Sequence, residues 1–132
     1  MRRGILYWII MLISVATVVS GIVQIIFPEF VLKLVGANRD LTTGQLFATI
    51  GMFMALFGGM LLQAMRSVSD QSVAVFWAGL QKLGASLAVG IGVARHVFST
   101  LALGIASFDF ISGCLIFWYL TRMRQSTLPR EG

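Results

Sequence analysis

The chain has 132 residues, of which 58% are hydrophobic and only 11% charged, with a mean hydropathy of +0.90, whereas soluble domains are roughly a quarter charged. Ten Lys and Arg with five Asp and Glu cannot cover a soluble globule of this length, so the apolar excess faces lipid and residues 1–132 read as a single integral membrane domain. The net charge of +5 does not point to nucleic acid, because Arg2, Arg3, Arg122, Arg124 and Arg130 lie outside the apolar runs near the chain ends, where basic residues set topology and meet anionic head groups.

A helix needs about 20 apolar residues to cross a bilayer core of about 30 Å, and segments near 5–27, 44–65, 72–93 and 99–121 meet that length. The first opens with "MRRGILYWIIMLISVATVVSG", which has the basic start of a signal peptide. It has no small-x-small cleavage site and its apolar stretch runs on to Phe27, so a retained helix is expected. Ser14, Thr17, Gly21 and Gln24 recur along it at intervals of three, four and three. Pro28 ends this span and begins a short amphipathic helix, whose Phe30, Val31, Leu34 and Val35 are expected to enter the membrane interface until Gly36 stops it. In the second span Gly51, Ala55 and Gly59 stand at the four-residue spacing of a close helix interface. Met52, Met54, Met60 and Met65 do not all share a face there and read as packing residues, not metal ligands. The turns "RSVSDQ" and "ARHVFS" are short, so sequential spans pack antiparallel. The expected fold is all-α: a four-transmembrane-helix antiparallel bundle with a short interfacial helix between helices 1 and 2.

Four spans bring both termini and the 66–71 turn to one side, with Arg2, Arg3, Arg66, Arg122, Arg124 and Arg130, against Lys33, Arg39 and Arg95 on the other. The positive-inside rule then sets both termini in the cytoplasm. Tyr7, Trp8, Trp77, Trp118 and Tyr119 fall at that same level, as amphipathic rings do at the head-group boundary.

Lys82, in "WAGLQKLGAS", lies deep in the third span, where an isolated lysine costs about 2.5–3.5 kcal/mol on insertion scales. The only acid within a span is Asp109. Taking the last turn as centred on His96, Lys82 precedes it by 14 residues and Asp109 follows it by 13. At a rise of about 1.5 Å per residue the two depths differ by about 1.5 Å, so an antiparallel hairpin sets them side by side. Both lie on small-residue faces, Lys82 with Ala78, Gly79, Ala85 and Ser86, and Asp109 with Ala102, Ala106, Ser112 and Gly113, which marks these as interior faces. Two readings follow. The pair fixes the register of helices 3 and 4, with Gly51, Ala55, Gly59, Gly79 and Gly113 forming the close interfaces; or Lys82 and Asp109, with Ser86 and Ser112, line a binding site, since intramembrane ionisable groups are functional candidates.

Cys114 is the only cysteine, which excludes an internal disulfide or dithiol pair and with it the vitamin K epoxide reductase type of four-helix enzyme. His96 is the only histidine, so no bis-histidine haem forms within one chain. No phosphate loop, zinc-protease motif or nucleophile elbow occurs. No metal or cofactor is implied, and catalysis in isolation is not expected. The first span has no acid, unlike the small multidrug resistance transporters.

The layout from Gly21 to Leu62, with "IIFPEFVLKLVG" before a polar turn and then "FATIGMFMALFGGMLL", resembles the DoxX-like superfamily of small bacterial four-helix membrane proteins, across nearly the whole chain. That resemblance implies a multi-pass protein of the bacterial inner (plasma) membrane. Some relatives are implied to be subunits of quinone-linked oxidoreductases; no further motif carries over residue by residue. The functional expectation is a non-catalytic integral membrane protein, an accessory or assembly partner of a membrane complex. The alternative is a small carrier or binder of a lipid, quinone or cation at Lys82 and Asp109. The expected partners are the lipid bilayer and either other membrane subunits or a second copy of the chain.

Overall fold

Five helices follow one another in a computed structural model that describes residues 3–127, which leaves Arg2 and Arg130 outside the described residues. They are α1 (Ile5–Ile26), α2 (Pro28–Val35), α3 (Leu41–Arg66), α4 (Ser72–Ala94) and α5 (Ala102–Thr127). All except α2 are long and apolar enough to cross a membrane. Large apolar side chains cover their outer faces, among them Leu12, Phe53, Leu87 and Ile111, each more than half exposed. Water does not tolerate such a surface and lipid does, so the chain is a multi-pass integral membrane protein.

Local signals account for the breaks. Pro28 occupies the first turn of α2, where its missing N–H costs nothing. Glu29 in that turn and Lys33 in the last complement the helix dipole. Gly36 ends α2 in the left-handed region at φ 69°, with Gly36 N–H donating to Lys33 O at 3.2 Å and Ala37 N–H to Leu32 O at 3.0 Å. Asp40 caps α3, its carboxylate accepting from Thr43 N–H at 2.8 Å and from the Thr43 hydroxyl at 2.9 Å. Those hydrogen bonds, the backbone one foremost, hold the Asp40 carboxyl below its ordinary range.

The helices form two close antiparallel pairs, α1 on α3 and α4 on α5. In the first, a Cβ on Gly21 would lie 2.6 Å from both Ala55 N and Gly51 O, and one on Gly51 would lie 2.8 Å from Gly21 O. Only glycine permits that approach. The third member of the α3 stripe is Gly58, where a Cβ would meet Val18 Cγ2 at 2.9 Å; around Gly59 no atom lies within 4 Å. The expected Gly59 contact is thus displaced by one residue. Seven residues at 3.6 per turn come almost full circle, while eight overshoot by about 80°. In the second pair a Cβ on Gly79 would lie 3.0 Å from Ile116 Cγ2, and one on Gly113 would lie 2.6 Å from Leu83 Cδ2.

The two pairs meet at the end that holds the chain termini, around Tyr7, Ile10, Leu61, Val75, Ile116 and Leu120. Trp8, Trp77 and Trp118 stand outward at this level, each more than half exposed. Tyr7 departs from that belt: it is buried, and its hydroxyl accepts from Arg3 Nη1 at 2.6 Å. At the opposite end α2 packs against the bundle. Leu32 is fully buried and Val35 nearly so, while Phe30 and Leu34 face outward. Val35 therefore belongs to the protein interior and not to the membrane interface, because residues three apart on so short a helix share its inner face. Ser99 N–H donates to Val35 O at 2.7 Å, tying α2 to the turn between α4 and α5.

Candidate functional site

Lys82 Nζ donates to Asp109 Oδ1 at 2.9 Å, with the two side chains only 4% and 10% exposed. The contact follows from the α4–α5 packing. Gly79 and Gly113 bring the two backbones close enough for a short aspartate to reach a lysine on the neighbouring helix. The Phe108 ring centre stands 5.3 Å from Nζ, within cation–π range.

The pair lines two adjoining clefts. A cleft of about 410 Å³ runs beside it, lined by Thr17, Val23 and Gln24 of α1, Phe30, Val31 and Leu34 of α2, Met54 of α3, and Gly104, Ile105 and Phe108 of α5. A second lobe of about 210 Å³ lies among Phe47 and Ile50 of α3, Gln81, Ala85 and Val89 of α4, and Phe98 and Ala102 near the last turn. Both lobes share Gln24, Val31, Met54, Ile105, Lys82 and Asp109, so the charges stand on the wall common to the two. The larger lobe includes the exposed positions Val19, Ser20 and Gly104, which places its mouth between α1 and α5 on the lipid-facing side. Its volume is within the roughly 300–1,000 Å³ of small-molecule sites, and its mostly apolar lining with a few polar groups is their usual make-up.

Gln24 is the polar residue that α1 contributes. It is 5% exposed, and its Nε2 donates to Phe47 O at 2.8 Å. Among the described residues, no hydrogen bond reaches Gln24 Oε1 or the second oxygen of Asp109, and Lys82 spends one donor on Asp109. The polar set of the site is therefore Lys82, Asp109 and Gln24, with Thr17 beside them; the Thr17 hydroxyl already donates to Ile13 O at 2.8 Å.

Two residues expected at this site lie elsewhere. Ser86 lines a separate outer groove of about 380 Å³, with Gly90, Leu103, Ala106, Ser107 and Phe110. Ser112 is buried, yet lines neither lobe. Rotation about α4 explains the first: with about 100° per residue, Gln81 and Ala85 turn to one side of Lys82 and Ser86 and Gly90 to the other. The first side faces the cleft. Gln24 was legible in sequence as a polar residue on the Ser14–Thr17–Gly21 face, and all four are buried; nothing linear connects it to Lys82. His96 stands exposed in the last turn at φ 60°, and Cys114 is free and exposed.

Comparison with protein-family models, curated proteins and solved structures returned no match. Fold and site define a class: a four-span α-helical membrane protein whose buried ion pair borders an apolar cleft.

Proposed function

We propose that the chain is a non-catalytic membrane protein that takes a small amphipathic molecule from the bilayer, with the molecule's polar end at Lys82 and Asp109 and its apolar part in the cleft between α1 and α5. The cleft itself carries this reading. A pair serving only to lock α4 on α5 is best sealed by close packing of side chains; here the charges line a cleft of about 410 Å³ on one side and one of about 210 Å³ on the other. The apolar lining favours a lipid- or quinone-like molecule over a hydrated cation.

A second reading, an accessory or assembly partner of other membrane subunits or of a second copy, is favoured by the outer groove around Ser86, Gly90 and Ala106, where small residues admit another helix. We further propose a bacterial inner-membrane location with both termini cytoplasmic, and kinship with the DoxX-like proteins. The first is supported by Arg3, Arg66, Arg122 and Arg124 toward one end of the bundle against Lys33, Arg39 and Arg95 toward the other. The second is supported by the segment lengths and the short α2 helix, Pro28–Val35, that Gly36 ends.

The test is native mass spectrometry of the full chain released from gentle detergent, beside Gly104→Trp. Gly104 lines the mouth of the cleft, and a Cβ built on it meets no described atom within 4 Å beyond its own helix backbone, so an indole is added at the mouth without a backbone clash. A lipid-sized adduct on the wild-type chain that disappears in Gly104→Trp is expected. Equal occupancy in both proteins would reject the cleft as the site.

A further inference from the structure

We infer that the cleft selects an uncharged lipid whose head group carries hydroxyls, able to donate and to accept hydrogen bonds, as a glycerol monoester does. The inference rests on the cleft being the binding site and specifies what enters it.

Charge comes first. Lys82 and Asp109 neutralise one another at 2.9 Å, and among the described residues no other ionisable side chain lines either lobe. An anionic or cationic head would leave a net charge in a low-dielectric space, which is strongly unfavourable. Depth adds to this: Lys82 is near the middle of the 23-residue α4, so a head group reaching it leaves the interface, and a neutral head does so at far lower cost than an ion.

Hydrogen-bonding capacity comes second. An ammonium has three donors, and Lys82 uses one on Asp109. The site therefore offers donors. It also offers acceptors, in the second carboxylate oxygen of Asp109 and in Gln24 Oε1, neither of which is bonded among the described residues. A carbonyl-only head, as in a simple ester or a ketone, accepts from Lys82 and leaves both acceptors unmatched. A hydroxyl-bearing head answers both kinds of group at once. Its chain then runs past Ile105 and Phe108 to the mouth at Gly104 and Val19.

The experiment titrates the full chain in detergent with monoolein, methyl oleate, oleate and oleylamine, which share one C18 chain, and reads adducts by native mass spectrometry. Monoolein is expected to bind at least about tenfold more tightly than the other three, the factor that one unmatched buried hydrogen-bonding group confers. Its binding is expected to fall by a similar factor in Gly104→Trp and in the charge-free double variant Lys82→Met, Asp109→Asn. It should be unchanged in Gly84→Trp, an exposed α4 position that lines neither lobe and has no atom within 4 Å of its Cβ. Circular dichroism melts of each variant separate lost binding from lost fold. If methyl oleate, oleate or oleylamine binds as tightly as monoolein and responds to Gly104→Trp, the hydroxyl-head selection is overturned while the cleft stands. If no probe responds to Gly104→Trp, the cleft reading falls and this inference falls with it.

Discussion

Replacing Lys82 by Met keeps the length and most of the apolar stem of the side chain, so little packing is lost and the change isolates the ammonium. Asp109 then loses the one salt-bridge partner it has among the described residues, and its side chain is 10% exposed. Breaking a buried pair from one side costs about 3–5 kcal/mol in soluble cores, and insertion scales charge about 2.5–3.5 kcal/mol for a lone ion at mid-membrane. Both point to about 3 kcal/mol for Lys82→Met. Asp109→Asn costs less, because the amide oxygen still accepts from Nζ. The double variant removes both charges, and since neutral replacement of a buried pair is often harmless, it should return to within about 1 kcal/mol of wild type. The coupling is then at least about 2 kcal/mol, or about thirtyfold in the unfolding equilibrium. Reversible unfolding in mixed micelles with increasing SDS, followed by circular dichroism, measures all four proteins. Single variants that are harmless and additive would refute the pairing as a determinant of the fold.

Gly58→Ala should destabilise by about 1–3 kcal/mol through overpacking, its Cβ meeting Val18 Cγ2 at 2.9 Å and Ser14 O at 3.1 Å. Gly59→Ala, in open space, should be neutral or stabilising by up to about 1 kcal/mol from helix propensity; the same micelle titration separates the two. Gly36→Ala adds a Cβ 2.7 Å from that of Ser99 at a left-handed φ of 69°. It should loosen α2 from the last turn, and faster amide hydrogen exchange at Ser99 checks it. Asp40 has a depressed carboxyl pKa because it accepts from Thr43 N–H, so its capping contribution is complete above the unfolded value of about 3.9 and is lost as pH falls through the lower folded value. The melting advantage of wild type over Asp40→Ala should accordingly be constant from neutral pH to about 5 and shrink below about 4. An advantage that grows on acidification would contradict the cap.

Much of the fold was legible from lengths and breaks. The spans began and ended within a few residues of expectation except at the last helix, which starts at Ala102 after a turn and runs on to Thr127. The turn was harder to see because residues 99–101 are as compatible with a helix start as with the turn that leads into α5. Gly36 was legible as a stop because its left-handed conformation is a local demand. The Gly58-for-Gly59 displacement was not legible, because a four-residue spacing and a four-then-three spacing both describe small-residue stripes until the partner helix is known.

The site divides the same way. That Lys82 and Asp109 share a level follows from the sequence alone, since depth along a helix is additive in residue count and the hairpin turn supplies a common origin. Composition likewise determined the membrane class and the number of spans. Only the tertiary structure decided that Gln24 joins the pair, that Ser86 turns to an outer groove, and that the bundle closes at one end around Ile10 and Ile116 but keeps a cleft at the other. The physical reason is that rotation about each helix axis, and the gap between helix pairs, are set by which side chains interlock across elements far apart in the chain. Counting residues measures height along the membrane normal and carries no information about that fit.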